Sequence, residues 1–175
     1  MLQDVIRSYE NYREEERLTT NNARRIEFLT TVRVLEEWLL EGQRILDCAA
    51  GTGVSNWWRR RSVSDALRSA CACLDADLSR QLVQMGTIRS GDRHCFWTDN
   101  YFSTCVEMEA LYASKGLCVV DHFAQDGVAP HFSDVVDGWT QAQFEVWCEH
   151  HYRVCRERSL LGASNHAAII GRKRA

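Results

Sequence analysis

The chain has 175 residues, 45% hydrophobic and 26% charged, which suffices for one domain with its own core and not for two. A formal net charge of -3, with acids and bases interspersed, supplies no field to gather a polyanion, so no nucleic-acid partner is expected. No stretch approaches the roughly 20 apolar residues that cross a bilayer, and the charged N-terminal stretch has no signal-peptide core. The expectation is therefore a cytoplasmic protein without a membrane partner, its eight cysteines mostly reduced thiols.

In chain order, Asn21 or Asn22 can cap a first helix whose apolar residues Phe28, Val32, Leu35 and Leu39 recur at helical spacing, with Gly42 as its stop. A short apolar strand is expected next, from Arg44, ending at Asp47 and turning at once through small residues, Ala49, Gly51 and Gly53. Small residues at alternate positions let backbone approach a ligand at the carboxyl end of a strand, where open α/β sheets bind cofactors. Thr104 with Glu107 forms a capping box for a helix through Leu111, ended near Gly116. A strand is expected over 117–123, a loop at Asp126, Gly127 and Pro130, and a second box, Thr140 with Gln143, heading a helix to about Arg158. The chain closes on a short strand, 167–171, with a basic tail.

The glycine turn is not a dinucleotide fingerprint. The third position of a G-x-G-x-x-G pattern falls on Asn56 counted from Gly51, or on Val54 counted from Ala49, and no G-K-[ST] phosphate loop follows. Asp47-Cys48-Ala49-Ala50-Gly51-Thr52-Gly53 instead resembles the first motif of class I S-adenosylmethionine (SAM) dependent methyltransferases. Arg17-Leu18 and Arg25-Ile26-Glu27-Phe28-Leu29-Thr30-Thr31 are similar to that family's helical lead-in. Residues 101–127 resemble the fifth helix and sixth strand of a bacterial branch, and Gly162-Ala163-Ser164-Asn165-His166 the approach to its terminal strand.

The resemblance implies an α/β, Rossmann-like methyltransferase fold of α/β/α layers with an internally truncated sheet. Strands two to five of the family would need on the order of 100 residues, and residues 56–103 supply 48. The single shortened domain divides into a helical lead-in (1–43), strand one with its glycine turn (44–54), an atypical junction (55–76) and the C-terminal helices with the last two strands (77–175). Strand one, deprived of its usual neighbours, is expected to pair with 117–123 or 167–171, or to stay open and favour aggregation or homo-oligomers through its edges.

The resemblance also implies SAM as cofactor, held at Asp47, Cys48, Ala49, Ala50, Gly51, Thr52 and Gly53, with transfer to an unidentified small-molecule acceptor. Asp75 is the candidate for the ribose hydroxyls and Asp77 a weaker one, the plainer reading of Asp75 being an acid on the surface of a helix over 64–82. Tyr9, Tyr12 and His131 are candidate substrate contacts, and no residue is assigned as a catalytic base. Cys148, His151 and Cys155 share one helical face and could take a thiophilic metal, but the same face carries Phe144, Trp147 and Tyr152 and reads better as core, so no metal is expected. Cys71 and Cys73, and His94 with Cys95, lack ligand spacing. Two other functions stay open: a non-catalytic methyltransferase remnant serving as a folding or interaction module, and a Cys/His metal protein.

Overall fold

A computed structural model describes residues 18–46, 77, 80, 84–89 and 100–174. These form a mixed helix-and-strand, broadly α/β body. Helix α1 spans Asn22–Trp38; β1 (Thr87–Ile88) and β2 (Asn100–Tyr101) make a small antiparallel pair; α2 (Cys105–Ser114) leads into β3 (Leu117–Ala124). A 3-10 turn (Ala129–Phe132), α3 (Ser133–Val136), α4 (Gln141–Val154), α5 (Arg158–Leu161) and β4 (Ala167–Lys173) complete the order. Among the described residues, no helix is long and apolar enough to cross a membrane.

Local sequence signals account for the helix starts. Asn21 caps α1 by accepting from the Arg24 amide. Both expected capping boxes form: Thr104 Oγ1 accepts from the Glu107 amide while Glu107 accepts from the Thr104 amide, and Thr140 and Gln143 do the same for α4. Helix α4 ends at Val154, earlier than the expected Arg158; the chain becomes extended at Glu157, and a separate short helix begins at Arg158. The loop expected around Pro130 holds the 3-10 turn and α3, with Pro130 in its first turn, where a missing amide costs nothing.

Strands β3 and β4 pair antiparallel, from Leu117 opposite Lys173 to Ala124 opposite Ala167, with a register shift between Val119 and Asp121. A bulge of this kind re-aims a side chain, and Asp121 is buried here. It accepts from Trp38 Nε1 at 2.8 Å and from Arg156 Nε and Nη2 at 3.0 and 2.8 Å. Arg156 also reaches Glu37, so one guanidinium ties α1 to the sheet. Burial pushes the Asp121 carboxyl up, but the hydrogen bonds from Arg156 and Trp38 outweigh it and the net shift is downward.

Two apolar clusters form the core. Ala23 and Ile26 of α1 pack with Ala129, Val136 and Phe144, flanked by Trp139, Trp147 and Cys148. Val34, Phe123 and Cys155 pack with Trp38, Tyr152, Ala168 and Ile170. The buried face of α1 is therefore Ala23, Ile26, Glu27, Thr30 and Val34, not the face expected from the apolar spacing. Phe28 is 44%, Val32 38% and Leu39 39% exposed. Polar anchors decide this rotation: the Ala23 amide donates to Asp137, Asn22 Nδ2 donates to the Val136 carbonyl, and Trp38 donates to Asp121.

The strand expected from Arg44 is not formed over 44–46, where Ile45 is 62% and Leu46 83% exposed. The described sheet consists of β3 and β4 paired with each other, and 44–46 are not part of it. Residues 47–54, which carry the rest of that strand and the glycine turn, lie outside the described residues.

Candidate functional site

At the end of β3 the chain turns sharply over Gln125, Asp126 and Gly127. Gly127 adopts φ +56, and a Cβ on it would stand 2.7 Å from His151 Cε1, so both backbone sign and space call for glycine. The turn faces the segment that leads into β4. Asp126, 1% exposed, accepts on Oδ1 from the Ser164 hydroxyl at 2.6 Å and from the Asn165 and His166 amides at 2.9 and 3.1 Å. Ser164 Oγ in turn accepts from the Gly127 amide at 2.8 Å, and the Gln125 amide donates to the His166 carbonyl at 2.9 Å.

With Oδ1 so occupied, Asp126 Oδ2 is aimed at His166 Nδ1, 2.7 Å away. A second carboxylate approaches the same nitrogen from α1: Glu27 Oε2 lies 3.3 Å from it, and Glu27 is buried. The base of Glu27 is held by its own helix, since Thr31 Oγ1 donates to the Glu27 carbonyl and accepts from Gln125 Nε2. Glu27, Asp126 and His166, from three separate segments, thus bring one ligand atom each to within 4.8 Å of one another.

His151 of α4 supports this turn from behind. It is 1% exposed, and its Nε2 donates to the Ala124 and Gln125 carbonyls, each at 3.2 Å. Burial lowers its pKa below the usual histidine value despite those carbonyls, so the ring is neutral. His131 lies in the 3-10 turn and donates through Nε2 to the Ala163 carbonyl at 3.0 Å. Of the candidate substrate contacts it is the described one, and its ring holds the 125–131 loop to the 163–166 turn. Cys148 belongs to the first core cluster and Cys155 to the second. Burial raises both thiols, Cys148 to about 11, and His151 is turned to backbone carbonyls, so the face expected to be core is packed as core.

The remaining expected site residues, Tyr9, Tyr12, Asp47, Cys48, Ala49, Ala50, Gly51, Thr52, Gly53 and Asp75, lie outside the described residues. Asp77 is an exposed acid paired with Arg80 one turn along. Sequence reasoning did not single out Glu27, Ser164 or His166 as site residues, and it read Asp126 as a loop residue. An acidic-glycine step after a strand, and an S-N-H just before the last one, were the available signals. Comparison with protein-family models, curated proteins and solved structures finds no match.

Proposed function

We propose that the chain is a shortened class I SAM-dependent methyltransferase domain of Rossmann-like type, binding SAM at 47–53 and acting on a small-molecule acceptor. The observation that carries the reading is that the separate stretches resembling the family are folded on one another. The lead-in helix meets the 101–127 stretch through Trp38 with Asp121 and Thr31 with Gln125, and the 162–166 stretch through Glu27 with His166. Contacts between distant stretches that each resemble one family support a single inherited fold. SAM supplies a methyl group on a positively charged sulfur, and such a transfer rests on proximity and line of approach more than on a dedicated base.

Calorimetric titration of the purified chain with SAM tests this. Weak saturable binding that Gly53→Val abolishes is the expected result; tight binding indifferent to Gly53→Val would place the cofactor elsewhere and overturn the assignment. One observation favours the second reading, a non-catalytic remnant: Ile45 and Leu46, expected in a buried first strand, stand 62% and 83% exposed. No SAM binding by a chain that still unfolds cooperatively would decide for the remnant.

A further inference from the structure

We propose that Glu27, Asp126 and His166 form a binding site for one divalent cation of the Mn2+ type. The three donor atoms, Glu27 Oε2, Asp126 Oδ2 and His166 Nδ1, converge from α1, the β3 turn and the segment before β4. Their spacing suits an ion. Bonds of about 2.0–2.2 Å to nitrogen and oxygen place neighbouring ligand atoms roughly 3 Å apart, and His166 Nδ1 lies 2.7 Å from Asp126 Oδ2 and 3.3 Å from Glu27 Oε2.

The surroundings fit as well. Metal-binding carboxylates are oriented by hydrogen bonds to their other oxygen, and Asp126 Oδ1 is held by the Ser164 hydroxyl and two backbone amides, leaving Oδ2 directed at the site. Both carboxylates belong to residues more than nine-tenths buried, and both approach the same imidazole nitrogen. On binding, the ion takes the place of the proton on Nδ1, and the ring keeps its remaining proton on Nε2. The donor set is oxygen-rich with one nitrogen, the preference of Mn2+ and its neighbours, and contains no thiolate. His166 is the most open of the three, its side chain 23% exposed, which gives the ion its route in.

The test uses the full chain stripped of metal by chelator and titrated with Mn2+, the free ion being followed by its paramagnetic resonance; Mn2+ avoids the eight cysteines, which Zn2+ would not. One Mn2+ per chain is expected, with at least a tenfold loss of affinity in Glu27→Gln. Glu27→Gln preserves shape and leaves the Asp126 hydrogen bonds in place, and with each protein compared against its own metal-free melting curve, Mn2+ should raise the melting temperature of the parent and not of the variant. Absence of saturable binding, or binding at one ion per chain unaffected by both Glu27→Gln and His166→Ala, would overturn the site and leave the triad as a hydrogen-bonded clamp. Because no SAM is present in any arm, failure here leaves the methyltransferase reading untouched.

Discussion

His151 shows how one side chain can be locked by everything around it. Its Nε2 proton serves two carbonyls at the end of β3, and its ring fills the space that the missing Cβ of Gly127 leaves open. Burial depresses its pKa from the usual 6.5, so between that depressed value and about 6.5 the unfolded chain carries a proton that the folded chain does not. Stability is then complete above pH 6.5 and is lost as pH falls through the folded value. Urea unfolding should show a decline in stability below pH 6.5 that is shallower in His151→Gln; equal slopes in the two proteins would show that His151 does not carry it. Glu109 behaves in the same sense further into acid. Its hydrogen bond from Arg158, with His122 as a further partner, holds its pKa down to about 2, so its contribution is complete above pH 4.5 and is lost as pH falls towards 2.

At the scale of elements, α2 is the most dependent on its ends. None of its residues is buried, so it gains little from the core. Tyr112 lies across the flat face left by Gly171 of β4 and reaches the Ile169 carbonyl, while Glu109 is gripped by Arg158. The N-terminal box therefore matters more than it would in a well-buried helix. Thr104→Ala removes the acceptor of the Glu107 amide and should cost about 1 kcal/mol. Amide exchange should accelerate across 105–108 while β3 stays protected; uniform acceleration through both elements would mean that they open together and the cap has no local role. Helix α1 is the opposite case. It is joined along its length to the 133–137 segment, to Gln125 and to Asp121, so its end cap at Asn21 is one anchor among several.

For the whole molecule, the clearest consequence lies in what stays uncovered. Phe28, Leu29 and Val32 of α1 and its C-cap Leu39 are 38–44% exposed, and Leu40, Ile45 and Leu46 beyond it more so. In the described sheet β3 and β4 have only each other as neighbours, which leaves two outer edges. Apolar surface and open edges together favour association between copies. Sedimentation should show self-association that grows with concentration and weakens in Val32→Lys, a residue 38% exposed and a member of neither core cluster. A monomer at every concentration would show that this surface is tolerated as it stands.

The local features of this protein are legible in its residues because their causes are local. Thr104 with Glu107, Thr140 with Gln143 and Asn21 each act within one helical turn, and the apolar stretches around Val119-Val120 and Ile169-Ile170 mark the strands expected over 117–123 and 167–171, which extend to 124 and 173. The rotation of α1 is not legible, since its spacing of Phe28, Val32, Leu35 and Leu39 is as regular as a core face. Which face turns inward depends on Asp137, Val136 and Asp121, polar partners far along the chain. The meeting of Glu27, Asp126 and His166 is hidden for the same reason: no period or spacing links them, and a turn with glycine at positive φ, a serine bridge and a helix crossing behind it are all needed to bring them together. The sequence alone determined where the three capped helices and the two long strands begin, because capping and β-propensity act over a few residues, and it failed at 44–46, where a strand is expected and none forms. Tertiary structure alone decided which faces are buried and which polar groups converge, because burying a carboxylate or a carbonyl is tolerable only where a distant partner can satisfy it.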